Sequence, residues 1–88
     1  MLEKIARFLG YTFVTQAVKA EIEDYISEGT AYLSRYHEGF DPEADPFHCS
    51  LLKNYCFYAK SKALDDFAKN YADELFQLSN DGKCFHAG

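Results

Sequence analysis

The chain reads as all-α: a short N-terminal helix, then a long helical hairpin over about residues 16–37 and 46–79. Three observations predict this. Apolar residues recur at three- and four-residue spacing over most of the 88 residues, and no segment makes a convincing strand. Gly10 stands where a left-handed cap would end the first helix, and Gly39 where the second ends. Asp45-Pro46 is an N-cap followed by proline at the first helical position, a strong start signal.

The first helix rests on Leu2, Ile5, Ala6 and Leu9, an i, i+3, i+4, i+7 set closed by Gly10. Tyr11 to Val14 form an apolar connector, after which Thr15 or Thr12 can act as N-cap. The second helix, Gln16 to His37, sets Val18, Ile22, Tyr25, Ile26, Leu33 and Tyr36 along one side and crowds its acids on the others. Gly29 lies on the buried side between Ile26 and Leu33. A glycine inside a helix costs about 1 kcal/mol against alanine, so its presence predicts the close approach of another helix there. The segment Glu38 to Pro46 carries four acidic residues and no basic one, and reads as a solvated, negatively charged turn.

From Pro46 to about Ser79 the apolar residues Leu51, Tyr55, Ala59, Ala63, Phe67, Tyr71 and Leu75 fall four apart. On a straight helix roughly 50 Å long, that row drifts by about 40° per step, or roughly 240° in all. One compact partner does not cover such a stripe. Either the helix breaks near residues 60–62, at the wholly polar Lys60-Ser61-Lys62, or its halves face different partners. The second alternative is the one expected. Ile22, Tyr25, Ile26, Leu33, Leu51, Leu52, Tyr55 and Ala59 then build the chain's own core, while Tyr58, Ala63, Phe67, Tyr71 and Leu75 meet a neighbour. On that reading, changing Phe67 and Tyr71 to serine leaves a folded chain that no longer assembles. Residues 1–79 form one domain, and residues 80–88 read as a mobile tail.

A chain this short buries only about 60% of the surface it exposes when unfolded. Yet it holds 7 tyrosines and 8 phenylalanines, and each such ring carries about 150–250 Å² to hide. The surplus points to a protein interface rather than a ligand pocket. A net charge of −5 argues against tight nucleic-acid or membrane binding. No export signal or bilayer-length apolar run is present, and the three cysteines are expected to remain thiols in a bacterial or viral cytosolic setting.

Chemistry-bearing patterns are sparse. Cys49 and Cys56 lie two helical turns apart, too far to bond to each other. His48-Cys49 with Cys56, or Cys84 with His86, lack the paired spacing of zinc ligands, so no metal or other cofactor is expected. His37 suits the negative end of a helix, and a phosphotransfer role for it would need four helices around the site. The carboxylates pair with nearby lysines as solvated helix faces do, and no phosphate loop or nucleophile motif occurs, so no enzymatic activity is expected.

The stretch from Leu51-Leu52-Lys53-Asn54-Tyr55-Cys56-Phe57-Tyr58-Ala59 through Ala63-Leu64-Asp65-Asp66-Phe67 to Tyr71-Ala72-Asp73-Glu74-Leu75 resembles the C-terminal helix of the small head–tail connector proteins of tailed bacteriophages and prophages. The opening helix ending near Gly10, the run Glu21-Ile22-Glu23-Asp24-Tyr25-Ile26 leading to Leu33, and the acidic proline-containing loop extend the likeness over residues 2 to about 78. Gly29 and the Cys84/His86 tail depart from it. The resemblance implies a structural subunit of a homo-oligomeric ring, found in the virion at the head–tail interface and in the bacterial cytoplasm before assembly. Its partners would be the portal protein and a tail-side adaptor or stopper, with DNA passing through unbound. A small helical adaptor or regulatory module, holding a partner's helix in an aromatic groove, is the alternative.

Overall fold

The computed structural model describes the backbone of residues 1–87 and the side chains of residues 1–80; the expectations for the Cys84 and His86 side chains lie outside the described residues, while the helix expected to end at about Ser79 continues in the backbone to Ala87. Among the described residues there are five helices and no strand: α1 (Leu2–Phe8), α2 (Gln16–Ser34), α3 (Pro46–Lys60), α4 (Leu64–Asn70) and α5 (Ala72–Ala87). The all-α class holds. The hairpin of α2 and α3 is its centre, with α1 packed against both of its helices, α4 against α3, and α5 following on α4.

The helix ends follow from local chemistry. Gly10 takes φ 90°, its N–H bonds the Arg7 carbonyl, and the Tyr11 N–H reaches back to Ala6. This pair of bonds closes α1 with the left-handed turn that glycine adopts at least cost. Thr15 caps α2, its hydroxyl accepting the Val18 N–H at 3.2 Å. That helix stops at Ser34, three residues short of expectation, because the Arg35 and Tyr36 N–H groups tighten onto the Tyr32 and Leu33 carbonyls as a last 3₁₀ turn. Asp45 caps α3 through the Phe47 N–H at 2.9 Å, with Pro46 in the first turn.

The acidic loop is exposed, yet tied down. Asp41 Oδ1 accepts the Glu43 and Ala44 N–H groups, and the Asp41 N–H donates to His48 Nδ1 at 2.9 Å. His48 is buried and stacked flat on Phe40, with the His37 ring edge-on beside it.

Gly29 marks the α2–α3 crossing, as its position predicts. A Cβ there would stand 2.7 Å from Leu52 Cδ1 and 2.8 Å from Tyr55 Cδ1, so only a hydrogen fits between the helices.

The continuous third helix is corrected. It breaks at Ser61-Lys62, where Lys62 adopts φ 57°. The Lys62 N–H then bonds the Ala59 carbonyl and the Ala63 N–H bonds the Tyr58 carbonyl, the same two-bond closure that glycine makes at residue 10. A non-glycine residue in that conformation costs about 1–2 kcal/mol. Folding α4 back onto the hairpin, which buries Phe67, offsets it. A second, milder break at Tyr71 separates α4 from α5 while the hydrogen bonds Tyr71 N–H to Phe67 and Leu75 N–H to Tyr71 carry across it.

The core that results contains Ile5, Ala6, Leu9, Ile22, Leu33, Leu51, Leu52, Tyr55, Cys56, Phe67, Leu75 and Leu78. Of the expected core residues, Ile22, Leu33, Leu51, Leu52 and Tyr55 are buried, and Tyr25, Ile26 and Ala59 pack against them half-buried.

Candidate assembly surface

The residues expected at a subunit interface gather, but mostly inside the chain. Phe67 is 1% exposed and Leu75 4%. Phe67 stacks on Tyr71 at 4.9 Å between ring centroids and meets Tyr55, Tyr58 and Tyr32 edge-on at 5.5, 5.7 and 6.2 Å. Tyr58, Ala63 and Tyr71 are half-buried at the margin of this cluster, and Asn70 Nδ2 donates to the Tyr58 hydroxyl at 3.0 Å. The assignment of Phe67 and Leu75 to a neighbour is therefore corrected: the break at Ser61-Lys62 resets the winding row, so one chain covers it. Serine at residue 67 would open the core rather than free an interface.

Burial and the tyrosine network set the ionisation of these groups. Burial, then the hydrogen bond to Tyr36, pushes Tyr32 up to about 12, and burial, then the Glu21 hydrogen bond, does the same for Tyr25. Burial alone pushes the Cys56 thiol up to about 12. Cys56 and Cys49 are free thiols in the core, and among the described residues no group of three or more His, Cys, Asp or Glu side chains is placed to hold a metal ion. His48 accepts the Asp41 N–H at Nδ1, which fixes the neutral tautomer with its proton on Nε2, 3.6 Å from Asp45 Oδ2. Its neighbour His37 leaves Nδ1 buried without a partner among the described residues. Through the Asp41 hydrogen bond, His48 pins the loop to the start of α3.

The outer surface carries the aromatics that the core leaves over. Phe13 is 82% exposed and Phe76 69%, with Phe8, Val14, Phe57 and Leu64 also outside. Phe8 and Phe57 meet edge-on at 6.5 Å between α1 and α3, with the Lys53 ammonium over the Phe8 ring. Lys60 crosses from the end of α3 to donate to the Leu9 carbonyl at 3.1 Å, its ammonium 4.5 Å from the Tyr11 ring centre. This ties the connector that displays Phe13 and Val14 to the α1–α3 end.

At the other end, Tyr36, Ala68, Ala72, Leu75, Phe76 and Ser79 line an apolar groove of about 350 Å³. Of these, Leu75 is buried, while Ala68, Ala72 and Phe76 are exposed. Sequence reasoning named Leu75 and Tyr36 but missed the exposed Phe8, Phe57 and Phe76, although a signal existed: each falls off the apolar stripe of its own helix. No helix among the described residues is long and apolar enough to cross a membrane.

No known family model matches the chain, and neither a characterised protein nor a solved structure is significantly similar to it.

Proposed function

We propose that the chain is a structural assembly subunit of the head–tail connector type, one copy of a ring that docks on a phage or prophage portal. A tail-side adaptor or stopper would follow it, and packaged DNA would pass through the ring without being held. The observation that carries this reading is the distribution of exposed aromatics. An 88-residue chain still displays Phe13 ahead of α2, Phe76 beside Tyr36 past its other end, and the Phe8–Phe57 pair between α1 and α3. Scattered single apolar residues are ordinary, but phenylalanines at both ends of one helical hairpin suit a subunit with a neighbour on each side. The net charge of −5 suits a passage that repels phosphate, and the sequence resemblance supplies the setting.

The apolar groove beside Phe76 supports a second reading, an adaptor that takes a partner's helix. Sedimentation and negative-stain microscopy of the purified chain, alone and mixed with the portal protein encoded nearest its gene, separate the two. The connector reading expects rings, alone or on the portal. A chain that stays monomeric at high concentration and ignores the portal refutes it.

A further inference from the structure

We infer that His48 is a pH-sensitive latch: its neutral ring holds the acidic loop of residues 38–46 against α3, and a further proton on that ring releases it. The latch goes beyond the assembly reading and does not depend on it. The loop keeps its own shape. Asp41 Oδ1 accepts the Glu43 and Ala44 N–H groups, and the Asp41 carbonyl accepts the Ala44 and Asp45 N–H groups at 3.3 and 3.0 Å. Among the described residues a single hydrogen bond joins residues 38–44 to α3, from the Asp41 N–H to His48 Nδ1 at 2.9 Å. Phe40, stacked on the same ring with centroids 5.0 Å apart, adds a second contact. Hydrogen bond and stack thus meet at one titratable side chain, and that side chain is buried.

Histidine is the residue whose ordinary charge change falls between about pH 5 and 8. The lone pair on Nδ1 that receives the Asp41 N–H is also where an added proton goes, because Nε2 already carries one. Once charged, the ring has two N–H donors and no acceptor. An N–H would then face an N–H at 2.9 Å, and attraction becomes repulsion. The linkage has a definite sign. With the latch closed, Nδ1 holds no proton; with the loop released, it is free to take one. The released state binds more protons and so gains as pH falls.

The groups around the ring decide what moves. At the cap of α3, Asp45 Oδ2 lies 3.6 Å from Nε2, its side chain 47% exposed. It is the acceptor that the charged ring keeps, so the ring stays at the start of α3 while the Asp41 backbone leaves. Past the end of α2, His37 stands edge-on at 5.1 Å, its buried Nδ1 without a partner among the described residues. A proton there as well would set like charges side by side, so the latch answers to one proton. On α3 itself Phe47 tilts against the ring at 6.3 Å and carries no charge. Lys4 of α1 and Lys53 of α3 share with Glu43 a cleft that His48 does not line. Opening the latch frees a turn that carries Glu38, Asp41 and Glu43, all exposed.

The test follows ring and amide together by NMR of the isotope-labelled full chain, from about pH 7.5 to about pH 5. The ring nitrogen shifts of His48 report its charge, and exchange of the Asp41 N–H, relative to the free-peptide rate at each pH, reports the latch. One proton shifts an equilibrium by at most about tenfold per pH unit. Protection of Asp41 is expected to fall about tenfold as His48 charges, while the helix signal in circular dichroism holds. His48→Asn is the control: its side-chain oxygen accepts the Asp41 N–H where Nδ1 stood and takes no proton, so protection should persist throughout. An asparagine variant that loses protection as the parent does overturns the latch. So does an Asp41 amide still protected once His48 is charged, a loss that tracks His37 instead, or a His48 still neutral at about pH 5. Should the variant fail to fold, the parent's two midpoints decide alone, and their failure to coincide refutes the latch.

Discussion

Replacing Gly29 with alanine sets two effects of opposite sign against each other. Alanine in a helix interior gains about 1 kcal/mol over glycine. The added methyl, however, would lie 2.7 Å from Leu52 Cδ1 and 2.8 Å from Tyr55 Cδ1, both closer than carbon atoms tolerate. Neither neighbour has room to yield. Leu52 is fully buried, and the Tyr55 ring is held between Tyr32 at 5.4 Å and Phe67 at 5.5 Å. Overpacking of a tight core costs about 1–3 kcal/mol, and two simultaneous clashes place this site in the upper part of that range. The net loss expected is about 1–2 kcal/mol, roughly 4–16 °C in Tm for a domain of this size. Thermal unfolding followed by circular dichroism measures it. A companion variant sharpens the reasoning: Leu52→Ala alone costs about 2–5 kcal/mol, but combined with Gly29→Ala it should cost less than the sum, because the new methyl enters the space vacated. A Gly29→Ala chain as stable as the parent, or strictly additive losses in the double variant, would refute the close crossing.

Two further outcomes follow from the same core. Phe67→Ser should cost at least the 3–5 kcal/mol of a Phe→Ala truncation, enough to leave a chain of marginal stability largely unfolded; a well-folded variant by circular dichroism would restore residue 67 to the surface. Raising the pH should unfold the chain in the window from 10 to 12. Well below pH 10 Tyr25 and Tyr32 are neutral in both states and their contribution to stability is whole. Above it the unfolded chain loses protons that Tyr25 and Tyr32, held up to about 12, retain when folded, so stability falls as pH rises. Tyrosinate absorbance should therefore appear together with loss of helix, and a simple titration without unfolding would contradict it. In the same experiment Cys56 should escape alkylation until the chain opens.

Much of the fold was legible because its punctuation is local. Gly10, Thr15 and Asp45-Pro46 each satisfy backbone groups within a few residues, so their sequence neighbours suffice to place them. Gly29 was legible for another reason: nothing but close approach explains glycine on a buried helical stripe. The break at Lys62 was not, since the cap position is filled by lysine rather than glycine, and its strain is met by tertiary burial of Phe67 that no local pattern records. That one turn decides the site as well. With α4 reversed, Phe67 and Leu75 move from the expected interface into the core, and the outward surface passes to phenylalanines off the apolar row, such as Phe57 and Phe76. The 240° winding of the row on a straight helix was a sound warning; between its two resolutions, the chain uses the break.

The aromatic cluster also has an optical consequence. The chain has no tryptophan and 7 tyrosines, so its ultraviolet emission comes from tyrosine. Tyr32, Tyr36, Tyr55, Tyr58 and Tyr71 form a chain of contacts with Phe67, the tyrosine pairs lying 5.4–5.8 Å apart. At such separations excitation hops from ring to ring before it is emitted, which depolarises the light, and the fixed asymmetric array gives a near-ultraviolet dichroic signal. Because the rings come from α2, α3, α4 and the turn before α5, the signal reports the closure of α4 on the α2–α3 hairpin. The native protein thus carries its own label for the folded state.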